Sequence, residues 1–396
     1  MARHAIISGG SISGLFVAVA LRQAGWHVDV YERSDVELAG RGAGIVTHKA
    51  LVDALVAVGA DISDLGVHVD ARVAFDKRGD VVRTLPFPQV VTSWDRIHSI
   101  LRRMIPDAHH HLDHQVADFE QRSDGVEVFF TNGASGVADL LIGADGFRSA
   151  VRGIMLPDVA PIYSGYVVWR SLTHEIDIPE DIRRSVFPSF GFYVPTGTQI
   201  IGYPIAGPGN DLRPNHRRYN FVWYAAVEPE RLADMLTDAT GHQHDISIPP
   251  PLIRNDILEQ IKREAHDILP RPFVTILENG ERPFFTPIYD HLVPQMTQDN
   301  VALVGDAACV ARPHVGMGVT KAVCDGLSLA KHLTHTDDIK GALGRYSQER
   351  LPASAAAHYR ARALGEYIFD ATIDNPDGRS NPRLDEIMRT TAVTVD

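Results

Sequence analysis

The chain has 396 residues, 44% hydrophobic and 22% charged, enough for one large interleaved unit or two domains with a sizeable core. Its 38 Lys and Arg against 50 Asp and Glu give a formal charge of -12 with no long basic run, which argues against nucleic acid and anionic membrane as partners. Two cysteines, Cys309 and Cys324, exclude a disulfide scaffold and point to a reducing, cytoplasmic setting; no apolar stretch approaches the roughly 20 residues of a spanning helix.

The opening residues run into an apolar strand without a signal-peptide pattern. That strand, over 5–8, leads through a glycine turn to a predicted helix over about 13–24, stopped by Gly25. A second strand at 28–31 follows at once, so the pair is parallel with a right-handed crossover, as in a doubly wound sheet. Residues 45–60 and 95–104 read as helices, followed by a strand near Val116, a hairpin around Gly125 and Gly133, and a strand at 139–142. From about 156 to 285 the texture changes to short segments rich in Tyr, Trp, Val and Ile between Pro and Gly turns, which predicts an inserted antiparallel sheet. The strand 301–304 and helical segments to about 370 return to the first fold. The expected class is α/β (α+β overall). A Rossmann-like domain takes 1–68, 91–155 and 286–370 with the C-terminal helices, a sheet domain takes 69–90 and 156–285, and 371–396 is a C-terminal tail.

Gly9-Gly10-Ser11-Ile12-Ser13-Gly14 lies between strand and helix, where backbone amides and a helix N-terminus hold a pyrophosphate. Ser11 stands where the second glycine of that fingerprint belongs, and the hexapeptide alone reads equally well as a packing turn. Glu32, eighteen residues after Gly14, tips the reading, since an acid near that spacing accepts hydrogen bonds from an adenosine ribose. Its charge would repel a 2′-phosphate, so FAD or NAD suits this pocket better than NADP. Arg33 and Arg41 add positive charge to the cradle. Asp145, in the stretch 143–152, reads by itself as part of a hairpin turn. The strand ending in Gly305-Asp306, followed by Pro313, Gly316 and Gly318 ahead of a helix, makes another anion site.

In order and spacing these segments resemble the flavoprotein aromatic hydroxylases of the para-hydroxybenzoate hydroxylase fold, over nearly the full length. The matching stretches are Gly9 to Gly14 with Glu32-Arg33, Gly143 to Arg152, Val301 to Ala308, Pro313-x-x-Gly316-x-Gly318, and Tyr346 with Arg350. Within that family the chain is most similar to the 2,6-dihydroxypyridine hydroxylases, through Ser11, Gly165 to Arg170, Tyr203-Pro-Ile205, Asn220 to Tyr224 and Arg312-Pro-His314.

The resemblance implies a single-component monooxygenase with non-covalent FAD, taking hydride from NADH or NADPH, with NADH favoured. Its substrates would be O2 and a small hydroxylated aromatic or N-heteroaromatic ring. Asp306 would hold the ribityl or pyrophosphate part of FAD, and Asp145 would serve both FAD and the nicotinamide nucleotide. Gly316 and Gly318 would present amides to the flavin pyrimidine ring, with Pro313 beside its reactive edge. Many relatives carry His at Cys309 and an FAD-contacting Arg at Trp94, so those contacts do not transfer. Cys309 reads as a small buried hydrophobe. With no second Gly-x-Gly-x-x-Gly unit, the nicotinamide nucleotide must visit transiently.

The candidate pocket residues are His48, Tyr193, Tyr203, Trp223 and His314, with His48 or His314 as base. Tyr203 and Trp223 read equally as core residues of alternating strands. His109-His110-His111 with His114 completes no known ligand spacing and adjacent residues point apart, so a solvated loop and no metal are expected. Competing readings are a same-fold monooxygenase acting on a larger natural product or antibiotic, and a non-catalytic FAD-binding sensor. Monomer and homodimer both remain open.

Overall fold

The computed structural model describes residues 2–38, 44–366, 378–379 and 383–394. Strand β1 (His4–Ser8), helix α1 (Ile12–Gln23) and strand β2 (His27–Tyr31) form the opening parallel unit. The six-stranded sheet runs in the order Thr297–Gln298, Val301–Leu303, Leu140–Gly143, β1, β2, His110–His111. Its central strands are continuous apolar runs, with Ile6, Ile7, Val28, Val30 and Leu140 to Ile142 wholly buried, as parallel strands covered on both faces require. Helix α1 packs with the later helix Gly318–Leu333, while a three-stranded sheet of 116–138 covers strands β1 and Leu140–Gly143.

A nine-stranded sheet takes Gly44–Val46, Val67–Phe75, Val81–Ser93 and the strands from Ile162 to Leu292, ending at Cys309–Val310. Its pairs are antiparallel except Val67–Phe75 with Ser189–Tyr193, which run parallel. One face packs Trp169, Tyr193, Phe221 and Trp223 against helices, and the other packs Tyr166, Phe190, Tyr203 and Tyr224 against the chain's C-terminal segment.

Three regions differ from the sequence reading. The stretch expected to be all strand holds the helices Glu180–Val186, Pro229–Met235, Asn255–Ile268 and Arg271–Glu278. Asn255–Ile268 buries Ile257, Leu258, Ile261 and Ala265, a 3.6-residue stripe that the surrounding Pro-rich turns obscure in the sequence. The expected helix over 45–60 begins as the strand Gly44–Val46, because Ile45 and Val46 pair with Thr92 and Val91; the helix itself is Lys49–Ala57. The expected tail carries the helix Leu384–Thr390, whose Leu384, Ile387 and Met388 are buried on the sheet. Fully buried Arg72 donates Nη1 to the carbonyls of Met388 at 2.6 Å and Thr391 at 2.7 Å, satisfying acceptors that a helix end leaves open.

Candidate active site

β1 ends in a turn that needs glycine. Gly9 has φ +112°, and a Cβ there would stand 2.4 Å from the Ala144 carbonyl oxygen; a Cβ on Gly14 would stand 1.9 Å from the Gly9 oxygen. Ser11 caps α1 in extended conformation with no side-chain cap bond, leaving the first amides of the helix to face a ligand. Glu32 is 6% exposed; its Oε2 accepts from Gly10 N at 2.8 Å and its Oε1 from Ser34 N at 3.0 Å. Ser8, Gly9, Glu32, Arg33 and Asp145 line one small cavity, so three of the sequence candidates beyond the fingerprint converge there. Arg41 lies outside the described residues.

Two histidines outside the candidate pocket set flank this turn, and one of them, His110, is buried on the edge strand His110–His111, not in the solvated loop expected for the histidine run. His98 Nε2 lies 3.2 Å from the Gly10 oxygen and its ring stacks on Trp94 at 4.5 Å, one helical turn apart on Trp94–Arg103. Buried His110 stands where a Cβ on Gly10 would meet its Nε2 at 2.9 Å. Asp145 accepts from Ala150 N at 2.8 Å and Val151 N at 3.2 Å, so its carboxylate caps the helix Ala150–Met155 rather than shaping a hairpin.

The second wall comes from the Gly305-Asp306 turn. Gly305 has φ +60°, and a Cβ there would meet Ser13 Oγ at 2.6 Å, so the two glycine turns abut. Ser13 Oγ is buried without a hydrogen-bond partner among the described residues. Asp306 is exposed, yet burial raises its carboxyl pKa against the pull of Lys321, which fits a residue on the wall of a deep cleft. Beneath it, Gly305 N donates to Asp325 Oδ2 at 3.0 Å, Lys321 Nζ donates to the Gly305 oxygen at 2.7 Å, and Arg350 Nε donates to Asp325 Oδ1 at 2.8 Å. Tyr346 OH donates to the Leu303 oxygen at 2.8 Å. Asp325 is fully buried, and two cations with a backbone amide offset its desolvation. Lys321 and Asp325 escaped the sequence reading; their i,i+4 spacing inside a predicted apolar helix was the available signal. Gly316 has φ +63° and ends the turn Pro313–Val315. Gly318 opens the next helix, and a Cβ there meets nothing within 4 Å, so its backbone can be closely approached.

Across the cleft lies the inner face of the large sheet. His314 is buried, with Nε2 2.9 Å from Tyr166 OH and its ring 4.5 Å from that of Tyr224. Burial, assisted by Arg312, lowers its pKa to about 3. His48 Nδ1 sits 2.7 Å from Thr320 Oγ1, and burial lowers its pKa to about 4. Both imidazoles are therefore neutral at pH 7. Beside His48 a cavity of about 430 Å³ is lined by His68, Phe87, Gln89 and Ala392. Tyr203 stacks on Phe190 at 4.7 Å.

Arg170 shares this face. Burial raises the hydroxyl pKa of both Tyr203 and Tyr224, and Arg170 is near enough to oppose that shift in each. Among the described residues Arg170 has no ion pair. Gln199 is fully buried with neither amide atom partnered, and Asn220 accepts from Gly44 N at 3.2 Å while its Nδ2 has no partner among the described residues.

Tyr193 and Trp223, expected in the pocket, point away from it. Trp223 Nε1 donates to Thr198 Oγ1 at 2.7 Å and packs with Trp169 and Phe221 under the helices, as does Tyr193. Successive strand residues face opposite sides, so the pocket receives Tyr224 instead of Trp223.

A family model described as FAD binding domain matches residues 262–361, and another described as FAD binding domain-like matches 163–290. The chain is 33% identical over 350 residues to the 2,6-dihydroxypyridine 3-monooxygenase of Paenarthrobacter nicotinovorans, which covers 87% of this chain and 86% of that protein. The chain belongs to the FAD-dependent aromatic monooxygenases. This monooxygenase also matches the solved structure of 2,6-dihydroxypyridine-3-hydroxylase from Arthrobacter nicotinovorans with a TM-score of 0.89 at 30% identity, over 98% of this chain and 96% of the other. It is 26% identical over 388 residues to the 3-hydroxybenzoate 6-hydroxylase of Klebsiella oxytoca, covering 94% of this chain and 90% of that one.

The cradle fits FAD on its own geometry: two glycine turns that a Cβ would fill, a helix N-terminus and the unpartnered Ser13 hydroxyl converge. Cys309 is buried, its thiol donates to the Ser354 oxygen at 3.5 Å, and burial pushes its pKa up to about 11, which disfavours a reactive thiolate. Among the described residues, no helix is long and apolar enough to cross a membrane.

Proposed function

We propose that this monooxygenase hydroxylates a small ring carrying ionisable hydroxyl groups, a dihydroxypyridine or a close heteroaromatic, with NADH as the preferred donor, in the cytoplasm. The observation that carries the reading lies on the inner sheet face: the Gln199 amide and Asn220 Nδ2 are buried with no partner among the described residues, and half-buried Arg170 beside them has no ion pair there. Buried polar groups without partners cost stability, so their retention points to a ligand that pairs with them.

FAD, held by Gly9 to Gly14, Glu32, Asp306, Gly316 and Gly318, supplies hydride acceptance and oxygen activation when bound. The protein's own part is electrostatic and positional. Arg170 stabilises the ring as its oxyanion, which enriches the carbon to be hydroxylated. Hydroxypyridines interconvert with N–H and C=O forms, and Gln199 offers one donor and one acceptor to that pair. His314 orients through Tyr166; with a pKa near 3 it is a neutral imidazole with a single N–H at neutral pH, so it is a hydrogen-bonding group rather than a proton store. Helix Leu384–Thr390 and the sheet close the pocket against water.

Holoenzyme given NADH, O2 and 2,6-dihydroxypyridine, then a panel of hydroxypyridines and phenols, tests the reading. Ring-dependent NADH oxidation with a product one oxygen atom heavier is expected. Oxidation that yields only peroxide with every ring would contradict it.

A further inference from the structure

Beside the first residues of β1 and β2, four histidines converge on one carboxylate. Asp29 Oδ2 lies 2.9 Å from His4 Nε2 and 3.6 Å from His27 Nδ1, and Oδ1 lies 3.0 Å from His109 Nδ1 and 3.1 Å from His111 Nε2. The fold explains the meeting. His4 on β1 is in register with His27 on β2, Asp29 is two residues further along the same face of β2, and the edge strand His110–His111 pairs beside Tyr31. The alternation that separates neighbours in the histidine run sends His109 and His111 to Asp29 and turns His110 toward Gly10. The run itself completes no ligand spacing; its partners come from residues about 80 to 105 positions earlier.

We propose that His4, His27 and Asp29, with water as fourth ligand, form a binding site for a first-row divalent cation of the zinc class. The ligand atoms of these three residues all lie within 4.8 Å of one another, so small side-chain rotations would bring them to the roughly 3.3–3.6 Å separations of ligands 2.0–2.2 Å from one tetrahedral ion.

The hydrogen bonding suits the same place. His4 Nδ1 is 3.1 Å from the Val137 carbonyl oxygen, which only accepts, so Nδ1 is the donor there and Nε2 faces Asp29. A ring nitrogen donating to a backbone carbonyl while its partner ligates is the usual outer-shell arrangement of a metal-bound histidine. The site has an entrance, since the His27 side chain is 48% exposed and that of His4 27%. An imidazole-rich set with one carboxylate suits zinc, nickel or copper over magnesium or calcium. Bound there, the ion would tie β1, β2 and the 107–111 segment together and stabilise the fold by mass action.

The test uses tag-free, FAD-loaded enzyme stripped with chelator, titrated with zinc chloride against a chromophoric chelator, and with cobalt chloride for its visible absorption. About one equivalent per chain is expected, with the intense absorption of tetrahedral cobalt. His27→Ala, at a half-exposed ring that tolerates truncation, and H4Q should each weaken zinc at least about tenfold with FAD content unchanged. His216→Ala, at an exposed pair with Asp211, should leave it unaltered. Absence of a stoichiometric site, or one that both His4 and His27 variants leave intact, would overturn the proposal and make His4 an imidazolium paired with Asp29.

Discussion

The two faces of the nine-stranded sheet are made by the same strands, yet their polar atoms fare differently. On the helix-covered face Trp223 gives its indole N–H to Thr198, and Thr173 donates to the Ile276 oxygen at 2.8 Å. On the inner face Gln199 and Asn220 keep unpartnered amide atoms, and Arg170 has no ion pair among the described residues. The helix-covered face is not wholly satisfied, since the buried Tyr219 hydroxyl has no partner among the described residues, but the inner face gathers unpartnered amide atoms at Gln199 and Asn220, where a ligand can satisfy them.

The largest effect that sharpens this contrast is on stability. Trp223→Ala should cost about 3–5 kcal/mol in urea unfolding, as large-to-small changes in a packed core do, while kcat/KM per folded enzyme stays within about threefold. Comparable losses in both would put Trp223 back in the pocket. Next, Arg170→Met should lower kcat/KM by about 100-fold, equivalent to ~2.7 kcal/mol of transition-state stabilisation, with FAD content and unfolding midpoint nearly unchanged. Steady-state kinetics beside flavin absorbance decide it, and a fall in FAD content would instead make Arg170 a cofactor ligand.

Gln199→Leu carries the contrast in its sign. Removing a buried amide with no partner should raise stability by about 1 kcal/mol while raising KM, where a structural glutamine would lose stability. The remaining prediction is on pH dependence. His314 and His48 have folded pKa values of about 3 and about 4, below the ordinary 6.5. The unfolded chain thus binds protons first. Their contribution is complete above about pH 6.5 and falls by up to about 1.4 kcal/mol per pH unit for each histidine, until the folded values are reached. Thermal unfolding from pH 7 to pH 5 should show this slope, reduced in His314→Gln; an identical slope would assign the acid sensitivity elsewhere.

What the sequence made legible divides along the same line. The cradle was readable because its constraints are local: Gly9 to Gly14, Glu32 and Gly305-Asp306 sit at spacings that a strand, a turn and a helix enforce. The pocket face was not, since Trp223 and Tyr224 are neighbours of similar character and only the pairing register decides which one turns inward. Arg170 was visible as part of a matching segment but not as a cation without an ion pair among the described residues, because that is a property of the assembled sheet. Lys321 and Asp325 were masked by the apolar helix around them. The convergence of His4 and His27 with the 109–111 run depends on β1, β2 and an edge strand lying side by side, which no local pattern announces.

The central claim, that the inner face recognises the ring, is tested most directly by rapid anaerobic mixing of holoenzyme with NADH, following flavin bleaching with and without 2,6-dihydroxypyridine. The account predicts that the ring speeds reduction at least about tenfold, or ~1.4 kcal/mol, in the native enzyme and in Trp223→Phe, and fails to do so in Arg170→Met. Acceleration that survives in Arg170→Met but disappears in Trp223→Phe would contradict it.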